Sequence, residues 1–148
     1  MNTILAIKNS WDKGKTETLR EFANLLLNAY PNYRAIYPIP TKVSTKVDFR
    51  LVIEVNGKII GVESQGDPNI NLQARLIDLV DNFHCDVILC STRTKGETVW
   101  AVEYIESTKG FQTIWTTKYQ IKNVANHHFV NNLKAKHIME LLQGLAII

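Results

Sequence analysis

From Asn9 to Thr16 the chain reads Asn-Ser-Trp-Asp-Lys-Gly-Lys-Thr, a set of residue types suited to holding an anion. Gly14 lets the backbone wrap closely round a ligand, and the N–H groups that open a helix point at it from the positive end of the helix dipole. Lys15 adds a cation, and Thr16 a hydroxyl able to face a divalent metal. Asn9 is among the residues that visit left-handed φ most readily, which suits the start of a tight turn. A helix N-terminus with a glycine entry and a solvated lysine has the same composition, so that plainer reading stands beside the anion site. The stretch Ser91 to Thr98 (Ser-Thr-Arg-Thr-Lys-Gly-Glu-Thr) repeats the design. Its Arg93 is suited to a bidentate phosphate contact, while Thr94 or Thr98 would serve equally as a helix cap.

The segment 9–16 resembles the phosphate loop of P-loop NTPases, whose pattern is G-x-x-x-x-G-K-[ST]. Gly14, Lys15 and Thr16 match, and Asn9 stands where the pattern has its first glycine. The resemblance implies binding of ATP or GTP with Mg²⁺, with NTPase or kinase-type phosphoryl transfer as the associated chemistry. It assigns nucleotide binding to Asn9, Lys13, Gly14, Lys15 and Thr16, with Lys15 on the β and γ phosphates and Thr16 on the metal. It also calls for an acid at the end of another core strand. Glu63, which closes Ile59-Ile60-Gly61-Val62-Glu63, is the candidate second metal group, and Arg93 the candidate third catalytic residue beside Lys15 and Glu63.

These residues need elements to position them. Thr3 to Lys8 is an apolar run of buried-strand length. From Thr16 onward Leu19, Phe22, Ala23, Leu26 and Tyr30 recur at helical spacing until Pro31. Ile36 to Thr45, with Pro38 and Pro40, is extended or edge-like at best. Val47 to Val55 and Lys58 to Ser64 are strand-like around Asn56-Gly57, the preferred two-residue hairpin turn. Pairing across that turn sets Arg50 opposite Glu63 and Asp48 opposite Gln65, the four sharing one face. The Glu63 carboxylate can therefore serve a metal or a cross-strand ion pair. Helices are expected over 72–83, about 97–105 and 124–145, with core strands at 86–90 and 111–116. The order implies one α/β domain over residues 1–148: a three-layer sandwich with a mainly parallel sheet and one hairpin, P-loop NTPase-like. In open parallel sheets ligands collect beyond the C-terminal strand ends, where the loops around Lys15, Glu63 and Arg93 would converge.

Two other function classes stay open. Asp48, Glu63 and Gln65 (or Asp48, Glu54 and Lys58) loosely resemble the carboxylate cluster of PD-(D/E)XK nucleases, which implies Mg²⁺-dependent cleavage of DNA or RNA by the 47–65 hairpin. A non-catalytic interaction domain is the other. Residues 107–148 hold five lysines against Glu140 alone, within a net charge of +3 for the 148 residues. That basic third is compatible with nucleic acid or another acidic partner, and equally with a solvated surface.

Composition excludes more than it selects. With 45% hydrophobic and 21% charged residues the chain is neither disordered nor of low complexity. No apolar run approaches a membrane span, and the N-terminus is too short and lightly charged for a secretory signal, so a cytoplasmic protein is expected. Cys85 and Cys90 read as core thiols on opposite faces of a strand. His127, His128 and His137 on the last helix have no spacing that puts two ligands one turn apart with a carboxylate. Trp11 inside the first loop would stack on a base or cover the loop.

Overall fold

The computed structural model describes residues 1–9, 14–66 and 70–148. Trp11 and Lys13 lie outside the described residues, as does the side chain of Lys15. In chain order the elements are β1 (Thr3–Lys8), α1 (Gly14–Ala29), β2 (Arg34–Tyr37), β3 (Arg50–Val55), β4 (Lys58–Glu63), α2 (Leu72–Asp81), β5 (Val87–Thr92), α3 (Glu97–Lys109), β6 (Gln112–Thr116) and α4 (His127–Gly144).

The strands form one sheet in the order β2-β3-β4-β5-β1-β6. Its pairings are parallel between β4 and β5, β5 and β1, and β1 and β6. They are antiparallel between β2 and β3 and between β3 and β4. The sheet is thus mixed, not mainly parallel as the sequence pattern predicts. The difference comes from the edge. Arg34–Tyr37 adds a third antiparallel strand to the hairpin, half-exposed and irregular in register, and tied by an Arg34–Glu54 ion pair of 2.6 Å. Short strands with this burial pattern carry little periodic signal.

Alternation along each strand divides the core in two. Leu5 and Ile7 of β1 face the layer of α1 and α4, with Leu19, Phe22, Leu26, Ala135, Ile138 and Leu142. Ile4 and Ala6 face the layer of α2 and α3, with Leu76, Leu79, Val102 and Ile105. This is the period of two expected where helices cover both faces. Phe22 has no exposed surface, and burial on that scale contributes roughly 1.5–3 kcal/mol. The hairpin turn is as predicted, with Asn56 and Gly57 both at positive φ, and Arg50 pairs with Glu63. The third helix runs beyond its predicted end to Lys109 and stops at Gly110, φ 73°, while the last begins after a 3₁₀ turn at Val124–Asn126. No helix among the described residues is long and apolar enough to cross a membrane.

Both cysteines are core thiols, but they share one layer instead of facing opposite ways. Cys85 precedes β5 and donates its backbone N–H to the Leu79 carbonyl at the end of α2, so strand alternation does not apply to it. Burial pushes both thiols up to about 12.

Candidate functional site at the strand ends

Asn9 leaves β1 beside the end of β5, donating its backbone N–H to the Thr92 carbonyl at 3.1 Å. The two adjacent strands then part company. β1 runs on into α1 on one face of the sheet, and β5 into α3 on the other. Adjacent parallel strands whose connections leave on opposite faces open a crevice, the usual ligand position in sheets of this kind. Asn9 lines it, 4% exposed. Its Oδ1 accepts from Gln120 Nε2 at 2.6 Å, while Nδ2 is buried with no hydrogen-bond partner among the described residues. Gln65 Oε1, beyond the end of β4, is in the same state. A buried polar atom left this way costs about 1–3 kcal/mol, and such atoms concentrate where a ligand or water completes the bonding.

The end of β4 is drawn onto the end of β5. Ser91 Oγ donates to the Ser64 carbonyl at 3.3 Å, and Gly66 lies so close that a Cβ there would fall 2.2 Å from the Ser91 carbonyl oxygen. No side chain fits at that position. Arg93 continues from β5 and donates its backbone N–H to Thr98 Oγ1 at 2.8 Å. Thr98 is thus a buried brace inside the first turn of α3 and not its cap; the cap position is Gly96, which provides no side-chain bond. The loops carrying Asn9, Glu63 and Arg93 accordingly sit at one edge.

Glu63 is 1% exposed, and its Oε1 receives three arginine contacts. Arg50 reaches it from the opposite strand at 2.8 Å through Nε and 2.7 Å through Nη2, and Arg75 of α2 stands at 3.7 Å. Arg50 also donates to Asp78 and to the Arg75 carbonyl, and stands 5.7 Å over the Phe83 ring. Burial acts to lower the Arg50 pKa, but Glu63 and Asp78 outweigh it and the net shift is upward. Asp78 is held below the usual carboxylate range by hydrogen bonds from Asn82 and then Arg50. The cross-strand pair foreseen for Glu63 is formed, then, inside a larger network that reaches α2. Arg75 and Asp78 carried no separate signal in the sequence, being one helical turn apart on a face that reads as polar surface.

Thr16 meets a different acid. Its Oγ1 donates to Asp48 Oδ1 at 3.2 Å, and Ser64 Oγ donates to the same oxygen at 3.2 Å. Asp48 precedes β3, so it is not bound by the pleat that would set it beside Glu63. Instead its loop is pinned on α1 by Arg20, whose Nε donates to the Ser44 carbonyl at 2.5 Å and Nη2 to the Val47 carbonyl at 3.2 Å. Ser64 in turn binds Phe49 twice, through its backbone N–H and, as acceptor, through Oγ. The edge therefore presents two acids in different settings: Asp48 exposed against Thr16 and Ser64, Glu63 buried among arginines.

The histidines separate. His127 Nε2 bonds the Ile121 carbonyl at 2.8 Å, and His137 Nδ1 the Tyr119 hydroxyl at 2.6 Å. His128 lies against α1. Comparison with family models, with curated proteins and with solved structures finds no match for this chain.

Proposed function

We propose that the β1–β5 crevice binds a nucleotide or another phosphate-bearing ligand, as a divergent P-loop NTPase-like site. The observation that carries this reading is the junction itself. A glycine-lysine-threonine helix start follows the buried strand β1 at the point where β1 and β5 diverge. There the N–H groups at the start of α1 point beyond the strand ends, and their partial positive charge favours an anion. Lys15 supplies the full charge that a polyphosphate needs. Arg93 approaches from β5, and Asn9 offers an unused amide.

The oxygens at the edge suit Mg²⁺, a hard cation that takes hydroxyl and carboxylate ligands and keeps several waters. Thr16 and Glu63 are the residues that would hold it. An ion held there would supply positive charge against the phosphates. Thr16 is oriented by its Asp48 bond, and Glu63 is held by Arg50 in a setting that excludes bulk water.

The nuclease-like alternative also uses this edge, on the strength of Ser64, which joins Asp48 to the hairpin end. It is the weaker reading, because it needs Asp48 and Glu63 to share an ion while different partners hold the two carboxylates. The test is thermal stability with Mg-ATP and Mg-GTP. At a hundredfold excess over Kd the gain is about 2.7 kcal/mol, or roughly 5–10 °C for a chain of this size. Lys15→Ala is expected to abolish the shift while leaving the unliganded midpoint in place. No shift with either nucleotide in the wild-type protein would refute the proposal. Mg²⁺-dependent cleavage of DNA or RNA that survives Lys15→Ala but not Asp48→Asn would transfer the site to the nuclease reading.

A further inference from the structure

On the outer face of α1, away from the crevice chemistry, Glu17 and Glu21 stand one turn apart. Like charges at this spacing repel, typically by a few tenths of a kcal/mol, and the neighbouring Arg20 pairs with Glu17 alone. The last helix supplies the missing component. His128, in the first turn of α4, places Nδ1 3.6 Å from Glu17 Oε1 and 3.5 Å from Glu21 Oε1. Ligand atoms of the three residues all lie within 4.8 Å of one another.

The separations discriminate between two explanations. A charge-assisted hydrogen bond from imidazolium to carboxylate is about 2.7–2.9 Å long. Both observed distances exceed that by more than half an ångström. Ligands about 2.0–2.2 Å from a tetrahedral Zn²⁺ stand ~3.4 Å apart along each edge of the tetrahedron. The imidazole-to-carboxylate separations match that edge, and imidazole nitrogen and carboxylate oxygen are both ligands that Zn²⁺ takes.

The carboxylates are also oriented. Arg20 Nη1 donates to Glu17 Oε2 at 2.9 Å, and Asn132 Nδ2 to Glu21 Oε2 at 3.0 Å. Each outer oxygen is engaged, and each inner oxygen is turned toward His128. Partners of this kind set ligand direction in protein metal sites. The supporting helices are fixed as well. Thr18 bonds Asn131 across the buried α1–α4 seam at 3.4 Å, and Ala135, Ile138 and Leu142 bury the face of α4. His127 and His137 are bonded elsewhere, so the imidazole on offer here is that of His128.

The geometry points to a transition-metal site of the Zn²⁺ class formed by Glu17, Glu21 and His128, clasping the start of α4 to the first turns of α1. Three protein ligands leave a fourth position for water or for a ligand from solution. The site is separate from the phosphate crevice: it uses none of Asn9, Lys15, Glu63 or Arg93.

The experiment is calorimetric titration of metal-stripped protein with Zn²⁺, with Co²⁺ absorption as a probe of coordination. One Zn²⁺ per chain is expected, together with a rise in melting temperature and visible Co²⁺ bands of a low-coordinate site. His128→Ala and Glu21→Gln should each weaken binding at least a hundredfold, Asn132→Ala by ten- to a hundredfold, and His137→Ala not at all. Lys15→Ala should leave Zn²⁺ binding intact, so failure of the phosphate proposal does not touch this one. Absence of stoichiometric Zn²⁺ binding, or binding unchanged in both His128→Ala and Glu21→Gln, would overturn the inference. In that case the cluster is an ion pair made when His128 is protonated.

Discussion

Arg50 can be tested by replacing it with Met, which keeps the length of the side chain and removes its charge. The wild-type guanidinium is mostly buried and serves Glu63, Asp78 and the Arg75 carbonyl at once. Asp78 is partly solvated and can rehydrate when Arg50 is lost. Glu63 cannot, with 1% of its surface exposed, and its remaining cation, Arg75, stands at 3.7 Å, beyond good hydrogen-bond range. The expected loss is therefore that of a buried charge deprived of its partner, about 3–5 kcal/mol. Urea denaturation at pH 8 measures it directly. Adding Glu63→Gln to Arg50→Met should recover much of the loss, since the carboxamide carries no charge to strand. A loss below about 1 kcal/mol would refute the reasoning and make the pair an ordinary solvated bridge.

Gly66→Ala forces a Cβ into the Ser91 carbonyl and should cost about 1–3 kcal/mol, as overpacking against backbone does; an unchanged urea midpoint would show that the ends of β4 and β5 do not touch. The same substitution should weaken phosphate binding, read by the nucleotide-induced melting shift, because it separates Glu63 from the crevice. Cys85 and Cys90 stay protonated in the fold up to about pH 12, whereas an unfolded cysteine ionises near 9. Between those values the unfolded state binds fewer protons, so stability should fall with rising pH, by up to about 1.4 kcal/mol per unit for each thiol. Replacing both with Ala should flatten that alkaline slope, and both thiols should resist alkylation in the native protein at pH 8.

The strands and helices were legible wherever one principle governed a whole segment. Thr3–Lys8 and Val87–Thr92 carry unbroken apolar runs, Ile4–Ile7 and Val87–Cys90, because both their faces are covered, and Asn56-Gly57 announces its turn because both residues must hold positive φ. The edge strand Arg34–Tyr37 escaped, since its pairing depends on β3 and its burial, half-buried at Ala35 and Ile36 and exposed at both ends, shows no alternation. The same distinction divides the site. The junctions at Asn9, Glu63 and Arg93 follow from strand endings, which a sequence displays. The Arg50–Glu63 pair follows from hairpin register, which the turn sets. Asp48 gained Thr16 as a partner because it lies before β3 begins, where Arg20 of α1 holds the path of the chain. Glu17 and Glu21 found His128 only through the packing of α4 on α1, a contact held by Ala135, Ile138 and Leu142 and by the Thr18–Asn131 bond. Chemistry placed by local spacing could be read from the chain. Chemistry placed by the packing of distant helices is the part that required the fold, and the candidate metal cluster belongs wholly to it.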